Sequence, residues 1–215
     1  MRILTESIVV RASAHNPSIL HPSFLEAKGI VPPAWVTSEP PICTPPFSVV
    51  KFKSGVVFLV DSETLQVSQA PGHNNPSEFD VPHCVQKYIK SLPDVPYTAL
   101  GINFDALVDC DEPEQFLIKN FLCPGKWNDG NQLLEALSIK LVYMKEKWRL
   151  TVSLEPGPIL KMRESIKGIS VSGNYHLDLS SDDHLRETIN AIDAFYSHRD
   201  DFEGFIRSIL SIEED

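Results

Sequence analysis

The residues that could do chemistry are grouped near the C-terminal end, where His176, Asp178 and His184 lie close together in sequence. His176 and Asp178 are two residues apart, so on a β-strand their side chains share one face. An imidazole beside a carboxylate can bind a metal ion or act as a base with its orienting acid. A polar strand end followed by a helix N-cap explains the same pattern, and no third ligand motif accompanies it. We predict neither a metal site nor a cofactor.

Known catalytic motifs do not occur in the chain. It has no Walker loop, dinucleotide fingerprint, G-x-S-x-G elbow or H-E-x-x-H helix. The cysteines show no C-x-x-C spacing, so we expect reduced thiols and no disulfide framework: Cys43, Cys84, Cys110 and Cys123. His83 precedes Cys84 directly, but adjacent residues of a helix point in different directions, which makes a thiolate and base pair a poor interpretation. The sequence leaves enzymatic activity open and favours its absence.

Charge argues against one class of partner. The chain has 19 basic and 29 acidic side chains and a net charge of −10, so it repels a phosphate backbone and we do not expect nucleic acid as a ligand. A solvated outer face of strands accounts for the densest basic positions: Lys140, Lys145, Lys147, Arg149, Lys161, Arg163 and Lys167. The acids of residues 109–114 are interpreted as helix-entry charges, because the calcium-loop pattern is missing.

The beginning and the hydropathy of the chain predict its location. No run approaches the roughly 20 apolar residues of a membrane span. The first six residues lack the hydrophobic region of a signal peptide. We therefore expect a cytoplasmic protein with no membrane partner.

The elements that must position these residues follow one order twice. In the first half, residues 1–92, the clearest signal is a hairpin whose turn contains Gly55, because glycine supplies the positive φ of a tight turn. A short helix ends at Gly29 for a similar reason. The predicted elements are a strand at 7–13, a helix at 23–28, strands at 47–53, 56–61 and 65–68, and a helix at 82–92.

The second half, residues 97–215, repeats this order with longer elements. Its last helix carries one apolar stripe from Leu185 to Ile209 and is predicted to be long, with a kink at 197–200. Residues 180–183 supply its N-terminal cap. The predicted elements are a strand at 97–108, a helix from 113 to 122, a hairpin joining 136–144 to 148–154 around a turn at 145–147, a strand at 166–179, and the long C-terminal helix.

Both halves therefore follow a βαβββα order. The joint at 93–96 is too short for independent motion, so we predict a single domain over 1–215 with one shared sheet. The fold class is α+β, with a mainly antiparallel sheet flanked by helices and a long C-terminal helix. Because the halves share little sequence, duplication and a coincidence of helix-on-sheet layering both stay open.

The order of four segments carries a resemblance. It consists of strands over 47–69, a helix through Tyr88, the strand containing residues 100–104, and residues 175–179 before a phenylalanine-containing terminal helix. This order resembles a sporadically distributed family of uncharacterised bacterial proteins, from which it departs in the proline-rich segment 31–46. The resemblance implies no activity and no catalytic residue. A looser resemblance, in strands followed by a long helix and in acidic charge, is to the SecB export chaperones.

Three functional hypotheses follow. We favour a non-enzymatic interaction protein that uses its sheet, or a cleft between its halves, to bind another protein or itself. Edge strands could pair across a two-fold axis into a homodimer. One alternative is a small metal-dependent hydrolase using His176, Asp178 and His184. The other is nucleic-acid binding by a concave sheet.

Overall fold

The computed structural model describes residues 1–70, 80–125, 127, 133–161, 164–180 and 183–211, with 158–161 and 164–166 described by their backbone only. The strands are β1 (Arg2–Ala12), β2 (Ile42–Cys43), β3 (Phe47–Lys51), β4 (Val57–Asp61), β5 (Thr64–Gln69), β6 (Tyr97–Asp109), β7 (Ile139–Lys145), β8 (Trp148–Lys161) and β9 (Glu164–Asp178). The helices are α1 (Pro22–Ala27), α2 (Val81–Lys90), α3 (Pro113–Phe121), α4 (His184–Ile192) and α5 (Phe195–Ile209), and a 3₁₀ turn covers Pro17–Ile19.

These nine strands form one antiparallel sheet in the order β2-β3-β4-β5-β1-β6-β9-β8-β7. β1 and β6 pair with each other at its centre, so the sheet contains strands of both halves. The predicted α+β class with a mainly antiparallel sheet and helices is confirmed. In each half the last strand of a three-stranded meander, β5 or β9, pairs with the opening strand, β1 or β6. Duplication and a coincidence of helix-on-sheet layering both stay open as explanations of this repeat.

One face of the sheet carries the core. Alternate residues of its central strands, such as Ile8 and Ile102, are fully buried, and α2, α4 and α5 contact these strands. Phe104 lies within this layer, where its ring stacks on Phe202 with 5.5 Å between centroids and contacts Phe195 at 5.3 Å. Each fully buried side chain of this size contributes about 1.5–3 kcal/mol by leaving water.

Phe202 of α5 packs directly on the backbone of β9 at Gly173. A Cβ at this position would lie 2.4 Å from Cε2 of the ring, which is closer than any van der Waals contact. A larger residue at position 173 would therefore push α5 away from the sheet. The same helix carries Asp201, which binds Lys145 of β7. Gly173 therefore also sets the distance between the sheet and the helix that supports β7.

The opposite side of the sheet, here called the polar face, consists of cross-strand rows of residues. One row runs from β7 to β1 through Met144, Arg149, His176, Gly101 and Val9. The next runs through Val142, Thr151, Asn174, Asn103 and Ser7. In this second row Asn174 donates to Asn103, which donates to the hydroxyl of Ser7 at 3.3 Å. Side-chain hydrogen bonds thus connect three central strands across the polar face.

The C-terminal segment differs from its prediction as one long helix. The chain forms two helices, α4 and α5, with the break at Asp193 and Ala194, and α5 continues through the predicted kink at 197–200. The break separates two packing surfaces, since α4 contacts α2 and β6 whereas α5 contacts β6 and β9. Gln86 of α2 donates to Asp193 at 2.6 Å and holds the break. None of the described helices has the length and apolar character needed to cross a membrane.

Candidate functional site

Strand β7 ends the sheet, and β8 is the one strand that pairs with it among the described residues. A two-residue turn closes this hairpin, so Lys145 and Trp148 form a hydrogen-bonded pair. Hydrogen-bonded and non-bonded pairs alternate along antiparallel strands, which directs the backbone N–H and C=O groups of Lys140, Val142 and Met144 away from β8. No strand in the described part of the chain pairs with these groups. β7 therefore offers a row of free donors and acceptors.

The side chains of β7 are unusually apolar for an exposed edge. Val142 is 56% exposed, Met144 is 71% exposed and Tyr143 is 37% exposed. Long apolar edge strands are templates for pairing with another chain, and native proteins usually cover or shorten them. Apart from Lys140 and Lys145 no charge interrupts the strand, and it has no proline. This composition is typical of a binding edge.

The opposite edge of the sheet is protected. β2 has only two residues, both paired with β3. Prolines at 40–41 and 45–46 flank it, and proline has no N–H group to donate to a further strand. The thiol of Cys43 donates to the carbonyl of Leu20 at 3.3 Å and ties the short strand to the rest of the chain. A partner strand finds little backbone to pair with here.

Helix α5 holds β7 in place from the core side. The rings of Tyr143 and Phe205 meet edge to face with 5.2 Å between centroids. The ammonium group of Lys145 donates to Oδ1 of Asp201 at 2.6 Å, and the hydroxyl of Tyr175 donates to Oδ2 of the same carboxylate at 2.5 Å. These contacts fix the strand, so adding a further strand to it would cost little conformational entropy.

The groups beneath β7 have shifted pKa values with clear causes. Burial alone would raise the pKa of Asp201, but the hydrogen bonds from Lys145 and Tyr175 lower it below its ordinary value. Burial lowers the pKa of His198, whose ring stacks on Tyr175 at 4.2 Å and meets Trp148 at 4.5 Å. Its Nε2 is buried and has no hydrogen-bond partner in the described structure. A neutral His198 therefore serves here as an aromatic packing residue.

The structure brings two of the three predicted site residues together. Nε2 of His176 and Oδ1 of Asp178 lie 3.0 Å apart. His184 begins α4, and its Nδ1 is buried without a hydrogen-bond partner in the described residues. Within those same residues, no group of three or more His, Cys, Asp or Glu side chains could hold a metal ion. A catalytic role for these residues stays a prediction, because the described residues place no third metal ligand beside them.

A pocket of about 240 Å³ lies beside this pair on the polar face. Its lining comes from β7, β8, β9, α4 and the loops beside them: Met144, Lys147, Arg149, His176, Leu177, Asp178, Ser180 and Glu187. Glu187 accepts from the backbone N–H of Ser180 at 3.0 Å, while Asp178 is bound to His176. Both acids thus have partners of their own. The pocket adjoins the exposed end of β7 and presents the cations of Lys147 and Arg149.

A larger cavity of about 720 Å³ lies at the start of α3. It is wide open to solvent, and its lining includes Cys110, Glu112 and Lys119. Glu112 precedes the helix without a side-chain cap, while Glu114 lies in its first turn, where a negative charge is stabilised by the helix dipole. This arrangement agrees with helix-entry charges and contains no nucleophile paired with a base.

The predicted basic positions have different surroundings. Lys145 is partly buried and bound to Asp201, whereas four others are exposed: Lys140, Lys147, Arg149 and Lys167. The side chains of Lys161 and Arg163 lie outside the described residues. All four cysteines are free thiols. Burial raises the pKa of Cys84, whose thiol donates to the carbonyl of Ile30 at 3.7 Å, so it is a core residue.

One buried charge was missed by sequence reasoning. Glu6 of β1 points into the core side, where Arg199 of α5 lies 3.4 Å from its Oε2 and also contacts Glu203. Burial raises the pKa of Glu6 despite the attraction of Arg199. The signal was present in the sequence, because Glu6 has the same strand parity as Ile8 and Val10. The predicted strand, 7–13, excludes Glu6, whereas β1 begins at Arg2.

Comparisons with known proteins add no relative. The chain matches no protein-family model, no curated protein and no solved structure at a significant level. The function must therefore be argued from the residues themselves.

Proposed function

We propose that this protein is a non-enzymatic interaction protein that binds a partner by strand addition at β7. The observation that carries the proposal is the free edge itself, where Val142 and Met144 expose both their side chains and their outward backbone groups. Peptides that add a strand to a sheet edge gain affinity from main-chain hydrogen bonds and specificity from alternate side chains. β7 offers both, because its outward backbone groups can form main-chain hydrogen bonds and its exposed side chains can contact alternate residues of a peptide.

The alternatives have less support. A metal-dependent hydrolase needs a third ligand beside His176 and Asp178, and the described residues supply none within a shared site. Nucleic-acid binding by the sheet would need a basic surface, whereas the net charge is −10 and Asp105 and Asp178 lie on the polar face. Pairing of β7 with a second copy uses the same edge and would be detected by light scattering as a concentration-dependent dimer.

A random-peptide display library selected against the purified protein tests the proposal. Val142→Pro removes an outward N–H group and leaves the hydrogen bonds to β8 intact, because proline is tolerated on an edge strand whose N–H faces solvent. Val142→Thr is the matched control, since it keeps the N–H group and a β-branched side chain. We expect enriched peptides to bind the wild type and the threonine variant and not the proline variant. Peptides that bind all three equally would contradict strand addition.

A further inference from the structure

We infer that the strand bound by β7 is an acidic extended segment of a partner protein, an inference that rests on the function proposed above. The chain as a whole carries a net charge of −10. The β7–β8 hairpin reverses this sign over residues 139–149, where four basic residues stand against Glu146: Lys140, Lys145, Lys147 and Arg149. The binding edge is thus a local basic region on an acidic protein.

Three of these cations are available to a partner. Lys145 is already neutralised by Asp201. Lys140, Lys147 and Arg149 are exposed, and none of them makes an ion pair with another described residue. An acidic partner would neutralise them at little desolvation cost, because exposed charges remain partly solvated.

The register places these charges along the incoming strand. Lys140, Val142 and Met144 share the polar face, so every second residue of an added strand lies beside one of them. An acidic residue fits opposite Lys140, and an apolar residue fits opposite exposed Val142. A second acidic residue opposite Met144 would lie on the same face as Arg149, which is paired with Met144 one strand further in and lines the pocket of about 240 Å³. The long side chain of Arg149 could bridge that separation. Arginine binds a carboxylate through two parallel hydrogen bonds.

A second copy of the chain fits this edge less well. β7 contains no acidic residue, so pairing two copies with Val142 opposite Val142 would leave each Lys140 beside a methionine. The cations of the two hairpins would then lie near one another without compensation, and like charges across an interface oppose association. Charge complementarity therefore favours an acidic segment over self-pairing.

Two nine-residue peptides test the inference by fluorescence anisotropy. In both peptides threonine occupies every second position and so lies on one face of the extended strand. The other face has valine at its centre, flanked by glutamates in one peptide and by lysines in the other. We expect the glutamate peptide to bind roughly tenfold more tightly than the lysine peptide. This preference should fall as the salt concentration is raised, because salt screens the attraction between exposed charges. The combined variant K140Q, K147Q and R149Q should lose the preference, whereas Lys90→Gln, at an exposed position of α2, should keep it.

The outcomes separate the two proposals. Equal binding of both peptides, blocked in Val142→Pro, would overturn the acidic partner and leave strand addition standing. Equal binding of both peptides to wild type and Val142→Pro, or no binding of either peptide, would count against both. A concentration-dependent dimer that Val142→Pro abolishes would identify a second copy as the occupant and overturn the inference. A folded far-ultraviolet circular dichroism spectrum for each variant ensures that lost binding is not lost structure.

Discussion

β3 and β7 hold equivalent places in the two halves, since each opens a three-stranded meander at the outer side of the sheet. β3 is covered by β2, with Ile42 opposite Val49 and Cys43 opposite the fully buried Ser48. β7 has no such cover in the described residues, and its Val142 is 56% exposed. The comparison teaches that protection of an edge is an added feature of the first half and not a consequence of the shared strand order.

The proline-rich segment explains how that protection is built. Its backbone makes a bridge between Thr37 and Phe52, and Trp35 packs against the ring of Phe52 with 5.3 Å between centroids. Prolines fix φ and lower the entropy lost on ordering the segment. The segment before β7 has no comparable run of prolines. One edge is closed by local sequence, and the other has no covering strand in the described residues.

The largest expected effect comes from the core layer that both edges share. Phe104→Ala should lower the free energy of unfolding by about 3–5 kcal/mol, because it opens a cavity among three aromatic rings. Ile192→Ala, also fully buried, should cost about 2–5 kcal/mol. Urea denaturation measures both. A loss no larger than that of an exposed substitution would show that the two faces were assigned wrongly.

The next effect compares the two edges directly. Val49 has a paired strand on both sides, so Val49→Pro must break a ladder hydrogen bond and should cost roughly 1–3 kcal/mol. Val142→Pro faces solvent with its N–H group and should cost at most about 1 kcal/mol. Thermal unfolding of the two variants checks the order. Equal losses would mean that β7 is paired on both sides after all.

Local signals in the sequence predicted the elements better than their arrangement. The hairpin of β3 and β4 follows from β-branched residues around a turn with Gly55, whose φ is +89°. The break between α4 and α5 did not follow, since one apolar stripe runs through both helices and only tertiary contacts divide it. The strand order depends on pairs such as Ile8 with Ile102, which no local periodicity encodes.

The candidate site shows the same division. His176 and Asp178 were predicted to share a face from their spacing alone, and they do. The exposed edge could not be located in this way, because β7 reads as one strand of a hairpin and the sequence does not state which strand ends the sheet. Its support by Asp201 depends on a contact across 56 positions, which sequence spacing cannot reveal.

A smaller effect tests the support beneath β7. The folded-state pKa of Asp201 is lowered, so its ionised form stabilises the fold above the ordinary value of 3.8 and loses this contribution as the pH falls through the lowered pKa. Asp201→Asn should therefore cost about 1 kcal/mol or less at pH 7, since the carboxylate is 38% exposed and partly screened. The cost should shrink at pH 2–3. A cost independent of pH would contradict the ion pair with Lys145.

The smallest effect is expected at the turn of the β7–β8 hairpin. Lys147 is exposed and makes no ion pair with a described residue, so Lys147→Ala should change stability by no more than about 0.5 kcal/mol. Urea midpoints measure it. A loss of several kcal/mol would show that Lys147 has a structural partner. Its charge would then not be free to bind a partner at β7.

Amide hydrogen exchange along β7, followed by nuclear magnetic resonance in the isolated protein, tests the free edge most directly. The N–H groups of Leu141 and Tyr143 point toward β8 and should exchange slowly, whereas those of Lys140, Val142 and Met144 should exchange rapidly. The rapid set should become protected when a binding peptide is added. Slow exchange at Val142 in the free monomer would contradict the account, because it would mean that the edge is already covered.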